Sequence, residues 1–387
     1  MENKQTLWTK DFILITMVNL FLFLSFQMIV VTLPLYVEDI GGREKILGWV
    51  TGLATISAVL IRPFVGIALD KTSRKIMFII GLIILLVSTY FLGVFSYIWL
   101  ILIIRFINGI GWGIGNTTAM TIASETIPIK RFGEGIGLFN LSNGLGMALG
   151  PLIGISMMNA QSFSKVALLG GILVLAALIL SQFIRYKSVD KPVKAHIRKD
   201  KFLSIEKESL GPALTIGMIT ITYGAVIAFI PIYGIEQGVE NIGLFFTIFA
   251  LFLMFIRPIA GKMIDKKGFD VFVYSGIIIL MLSMIILSQS QNIIIFTVSA
   301  ALYGIGFGLL ESSLLTMAVA YAPEGKIGSV NAAFFAFFDG GLGLGSIIAG
   351  IIASVTGYGR MYLILIIPLI VAGIFYKFIK TPPAVVA

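Results

Sequence analysis

Arg62, Arg105, Arg257, Glu311 and Asp339 lie inside long apolar runs of the chain. Charge at such depth in a bilayer is expensive and is kept mainly where it works. Apolar surroundings disfavour the ionised form of a carboxyl group. A carboxyl group placed there can take up and release a proton near neutral pH, or pair with a cationic solute. Each use excludes the other, which is the logic of exchange, because an arriving proton ejects the cation. Glu311, near the middle of the tenth apolar run, is the first candidate for that site. Asp339, set among Phe334, Phe335, Phe337 and Phe338, is the second. For either, the competing reading is a buried structural hydrogen bond. Arg105 cannot give up its proton at physiological pH. It would bias a neighbouring carboxylate or hold an anionic group of a solute, with a structural ion pair as the alternative. Arg105, Trp112 and Asn116 are spaced by seven and then four residues, which is one helical face. That face predicts a cavity wall, with Asn108, Gln27, Tyr223, Phe334 and Phe338 as further lining candidates. Arg62 and Arg257 lie eight residues before Asp70 and Asp265, about 12 Å along a helix. They read as structural or gating charges that pair with inward carboxylates such as Glu125.

The runs that must position these groups come in two copies. Ile61-Arg62-Pro63, Gly66 and Asp70-Lys71 return as Ile256-Arg257-Pro258, Gly261 and Asp265-Lys266, 195 residues later. Asn108-Gly109-Ile110-Gly111-Trp112-Gly113 returns as Tyr303-Gly304-Ile305-Gly306-Phe307-Gly308 at the same offset. Glu311 occupies the repeat position of Asn116. Two copies of one pattern, half a chain apart, predict two similar halves.

Composition names the solvent. Of 387 residues, 58% are hydrophobic and only 12% charged, where soluble domains are about half apolar and about a quarter charged. Apolar runs of about 20 residues recur, each long enough to cross the hydrocarbon layer. They must be helices, because backbone groups in lipid need internal partners. About twelve spans are predicted: 11–37, 46–69, 75–95, 97–122, 133–158, 164–185, 210–235, 241–264, 270–290, 292–320, 327–356 and 360–379. The 42 glycines suit close helix approach. The absence of Cys removes thiolate metal sites and thiol redox chemistry, and the lone His196 lies in a basic loop. No metal site is expected. No phosphate-binding loop of the Gly-x-x-x-x-Gly-Lys-Ser/Thr type is present, so ATP drive is not expected.

Lysine and arginine set the orientation. Lys71, Arg74, Lys75, Lys130, Arg131, Lys266, Lys267 and Lys326 fall in one set of loops, and seven more basic residues fall in 186–209. That set is expected to be cytoplasmic, with both termini on the same side. The +9 net charge then reflects topology and not nucleic-acid binding. The expected domains are an N-terminal bundle over 1–185, a basic linker over 186–209 and a C-terminal bundle over 210–387.

Gly66-Ile67-Ala68-Leu69-Asp70-Lys71-Thr72-Ser73-Arg74-Lys75 resembles the cytoplasmic loop signature of the major facilitator superfamily. Ser73 stands where that family prefers Gly, and Phe269-Asp270 replace the two basic residues in the second copy. A carboxylate such as Asp70 can accept backbone N–H groups at another helix's N-terminus. The expected partners are the start of the eleventh span (325–329) for Asp70 and that of the fifth (132–135) for Asp265. Gly66, Asp70, Lys71, Arg74, Lys75, Gly261, Asp265 and Lys266 are therefore expected to form a conformational latch. A purely topological role is the alternative. Gly137, Gly146, Gly150-Pro151 and Gly154 resemble the fifth-span motif of proton-coupled drug antiporters in the same family, with Ile155 in place of its last Gly. Gly146, Gly150 and Gly154 share one helix face, and Pro151 removes a helix hydrogen bond. Arg105 with Gly109 resembles an Arg-x-x-x-Gly element that the family links to proton coupling.

The resemblance implies an all-α membrane protein with the major facilitator fold, about twelve transmembrane helices in two pseudo-symmetric six-helix bundles. It implies a secondary transporter of the cell membrane that exports a small organic molecule in exchange for protons. The proton gradient is the energy source and no cofactor is expected. The lipid bilayer, protons and the solute are the expected partners, and one chain suffices for function. An uptake symporter or facilitator of the same fold is the first rival. A transport-dead sensor or a membrane enzyme is the second. No Ser-His or Cys-based constellation favours the enzyme.

Overall fold

The computed structural model describes residues 7–128, 132–160, 162–186, 207–321 and 327–379. Its elements are all helical, as lipid requires of backbone groups that find no water. The first six are α1 (Lys10–Asp39), α2 (Glu44–Lys71), α3 (Arg74–Leu92), α4 (Ile98–Thr126), α5 (Phe132–Ala160) and α6 (Phe163–Ser181). Then follow α7 (Lys207–Glu236), α8 (Gly243–Lys267), α9 (Phe269–Ser288), α10 (Ile293–Ala320) and α11 (Ile327–Thr356). The twelfth expected span is broken into α12 (Tyr358–Ile364) and α13 (Ile366–Tyr376). Pro368 explains the break at Leu365: it has no N–H for the Ile364 carbonyl, and its ring crowds that carbonyl. Among the described residues, eleven stretches, α12 with α13 counted as one, are long and apolar enough to cross a membrane. The apolar part of α8 is shorter, Gly243–Arg257. Helix starts follow local chemistry. Asn292 caps α10 by accepting the Ile295 N–H at 3.1 Å. Gly268 and Gly357 precede α9 and α12 with φ of 76°, a conformation that favours glycine.

The chain forms two compact units, Met1–Tyr36 with Ile56–Arg198 and Val37–Thr55 with Lys199–Ala387. The cut falls inside α2, whose residues up to Thr55 go with the second unit. In the first unit, glycines set the helix crossings. A Cβ on Gly111 would lie 2.8 Å from the Leu85 nitrogen, and one on Gly81 would lie 2.7 Å from the Gly115 nitrogen. This pins α4 to α3. Gly113 faces Ile61 and the Ala58 carbonyl of α2. Gly146, Gly150 and Gly154 face Phe23, Gln27 and Met28 of α1, so the glycine face of α5 is its contact with α1.

The second unit repeats these contacts. A Cβ on Gly306, 195 residues after Gly111, would lie 2.9 Å from the Gly276 carbonyl and 3.1 Å from the Leu280 nitrogen. Gly308 faces Ile256 and Leu253 as Gly113 faces Ile61 and Ala58. Gly341 and Gly345 of α11 meet the backbone of Gly217 and Ile221 on α7. The start of α2 belongs to the same unit through Ser346, whose hydroxyl donates to the Gly48 carbonyl at 3.1 Å. The offset read in the sequence is thus an offset in contacts.

Backbone cannot yield as a flexible side chain does. Gly306→Val should therefore cost about 1–3 kcal/mol or more and lower the melting temperature of the detergent-purified protein. Gly115→Ala, where a Cβ meets nothing within 4 Å, should leave that temperature unchanged or raise it. Equal melting of the two variants would remove the packing role given to Gly306.

Candidate transport sites

The polar groups expected to carry transport fall into two clusters, one in each unit. In the second unit, α8 and α10 place Arg257 against Glu311. Nη2 of Arg257 donates to Oε2 of Glu311 at 2.6 Å, a short, charge-assisted bond. The Arg257 side chain is 33% exposed and that of Glu311 12%. The sequence predicts Glu125 as the partner of Arg62 and Arg257. In the structure Glu125 instead takes Arg74, whose Nη2 and Nε lie 3.0 and 3.1 Å from Oε1. The reason is depth. Glu125 ends α4 beside the α2–α3 turn, whereas Arg62 and Arg257 sit two turns inside their helices. Arg74 also donates to the Leu69 carbonyl, tying the start of α3 to the end of α2.

Tyr223 lies on α7 in the same unit. Its ring packs on Phe307 (4.8 Å between centroids), Phe249 (5.7 Å) and Phe338 (6.2 Å, edge-on). Tyr223 and Phe338, both read as lining residues, are thus brought together. Phe334 is fully buried and packs edge-on against Phe335. Asp339 is half-buried on α11. Thr222 and Tyr303 share a 2.8 Å hydroxyl contact.

In the first unit, Arg105 is 1% exposed. Its Nη1 donates to Oδ1 of Asn108 at 2.7 Å. The Asn108 amide donates onward to Ser88 at 3.0 Å and Thr89 at 3.2 Å on α3. The guanidinium carbon lies 5.3 Å from the Phe26 ring centroid, within cation–π range. Phe26 in turn stacks on Trp112 at 3.9 Å, and Phe23 meets Trp112 edge-on at 4.9 Å. Arg105 and Trp112 of the predicted face therefore share one cluster with the lining candidate Asn108, while Gln27 on α1 and Asn116, the third residue of that face, are half-buried. Ser88, Thr89 and Phe26 were not singled out in the sequence. A Ser-Thr pair inside the apolar run of α3 is the signal that could have found the first two. Phe26 is one phenylalanine of a phenylalanine-rich run and carries no such signal.

A third polar group joins α1 to α5. The buried Asn19 amide donates to Ser142 at 2.7 Å and to Asn143. Of the latch residues, Arg74 and Lys75 are described, and Gly66 has no atom within 4 Å of a built Cβ. The side-chain surroundings of Asp70, Lys71, Gly137, Gly261, Asp265 and Lys266, and of 132–134 and 325–329 in the helix starts assigned to Asp265 and Asp70, are not among those described.

The profile of the Major Facilitator Superfamily matches residues 15–345. The Staphylopine export protein of Staphylococcus aureus is 24% identical over 387 residues, covering 96% of each chain. The Multi-drug resistance efflux pump PmrA of Streptococcus pneumoniae is 26% identical over 87% of this chain and 88% of its own. Among solved structures, a point mutant of the nucleoside transporter NupG superposes with a TM-score of 0.81, covering 96% of this chain and all of that one. At 14% identity that likeness speaks to the fold alone. With a profile match over most of its length and the same helical architecture, the chain belongs to the Major Facilitator Superfamily, a family of membrane transporters and not of enzymes.

Proposed function

We propose that the protein is a proton-coupled exporter of a small organic cation, working by alternating access in the cell membrane with both termini in the cytoplasm. The observation that carries this reading is the Arg257–Glu311 pair at 2.6 Å within apolar helices. A buried carboxylate with a movable counter-charge can change partners. Arg257 holds Glu311 while the site is empty, a cationic solute takes its place, and a proton displaces the solute. Solute and proton then compete for one group, as antiport requires. Each ligand shifts the conformational balance only by its differential affinity for the two states. The drug-efflux pumps among the relatives support the outward direction.

Arg105 contributes differently. Held by Asn108 and set over Phe26, it is a fixed positive charge in the first unit that repels cations. It would keep a cationic solute away from the first unit's cluster. One chain carries both clusters, and a monomer is sufficient. The cytoplasmic latch of Asp70 and Asp265 would bias the same balance.

Ethidium is a suitable probe. In proteoliposomes with an acidic interior, an antiporter should drive ethidium inward, and collapse of the pH gradient should stop it. Accumulation driven instead by an acidic exterior would establish symport. Glu311→Gln, which keeps the shape and removes the titrating group, should lower gradient-driven transport by about tenfold or more, or about 1.4 kcal/mol, with the protein still folded. Undiminished pH-driven transport in that variant would retire Glu311 from the role. Arg105→Lys keeps the charge but loses the planar fork and the ring contact. Transport about tenfold slower with an unchanged melting temperature is expected. Wild-type rates would reduce Arg105 to a structural charge.

A further inference from the structure

A cavity of about 340 Å³ opens at one end of the second unit, where α7, α9 and α11 finish. Its wall carries Tyr233, Glu236, Gln237, Gln289, Gln291 and Arg360. The wall is built, not frayed. The Tyr233 hydroxyl donates to the Ser288 carbonyl at 3.3 Å. Gly359 lies so close that a Cβ there would come within 2.8 Å of the same carbonyl oxygen. Gly357, at φ 76°, turns the chain between these contacts. Tyr233 and Tyr358 stand 6.1 Å apart at the base.

The charges in this wall are opposite and do not meet. Among the described residues neither Glu236 nor Arg360 forms an ion pair. Two opposite charges that line one cavity without pairing leave both ends of a dipolar guest to be matched. The three carboxamides offer donors and acceptors to the guest's uncharged groups. The volume falls at the lower end of small-ligand pockets, about 300–1,000 Å³.

We propose that this cavity binds a small zwitterionic organic solute, with its carboxylate on Arg360 and its ammonium on Glu236. No lining residue belongs to α8 or to the described part of α10, so the site is separate from Glu311 and stands whichever way transport runs. Gln237, Gln289 and Gln291 hold the guest's amide or hydroxyl groups.

The test uses the full-length, detergent-purified chain and isothermal titration with the dipeptide Gly-Gln. Saturable binding is expected. N-acetyl-Gly-Gln, without the ammonium, and Gly-Gln amide, without the carboxylate, should each bind about tenfold more weakly. Glu236→Gln should weaken Gly-Gln about tenfold and erase its advantage over the acetylated form. Arg360→Gln should do the same relative to the amide. Both side chains are exposed, so both variants should fold. Glu311→Gln should leave this binding unchanged whatever it does to ethidium transport. Absence of saturable Gly-Gln binding overturns the proposal. So does binding that is indifferent to both Glu236→Gln and Arg360→Gln, and so does binding lost in Glu311→Gln alone.

Discussion

In lipid, apolar side chains gain nothing by leaving their solvent, so helices must be held together by close contact and internal polar bonds. Everything else in this molecule depends on that constraint. It explains why the crossings are made by glycine and why backbone meets backbone at Gly111 and Leu85, and again at Gly306 and Leu280. It also explains why side-chain hydroxyls so often bond back to a carbonyl one turn earlier, as Thr118 and Thr32 do. A frame closed this tightly can hold a few charges at depth in defined positions.

Those charges are compensated differently in the two units. Arg105 is met by a carboxamide and an aromatic face, with two hydroxyls behind the carboxamide. None of these groups exchanges protons near neutral pH. Arg257 is met by a carboxylate. The repeat position of Glu311 in the first half is Asn116, so the duplication kept a polar side chain and changed its capacity for charge. Pseudo-symmetric packing thus carries asymmetric chemistry. Glu311 is 12% and Arg257 33% exposed, so removing one member leaves the other's charge largely out of water and without its partner. A solute or proton that takes a partner's place must therefore supply an equivalent charge.

Much of the fold was legible because the bilayer simplifies the code. Span positions follow from hydropathy alone, and the 195-residue offset read from Arg62 and Arg257 reappears contact for contact. The break in the last span was not read, although Pro368 announces it, because a hydropathy window averages over a single proline. The site was half legible. Helical spacing put Arg105, Trp112 and Asn116 on one face of α4; the structure joins the first two through Phe26 and adds Asn108 as the Arg105 partner. The partner of Glu311 was missed because it comes from another helix, and spacing within one helix says nothing about register between two. Glu125 was assigned to the wrong arginines for the same reason.

The stacking of Trp112 on Phe26 has an optical consequence. Trp8, Trp49 and Trp99 are exposed, while Trp112 is 8% exposed and lies on the ring that faces the Arg105 guanidinium. With those three replaced by phenylalanine, the chain would hold one indole, buried and stacked on the Phe26 ring. Such a protein would carry its own fluorophore on the fourth helix, against the first, able to report movement there without any attached dye.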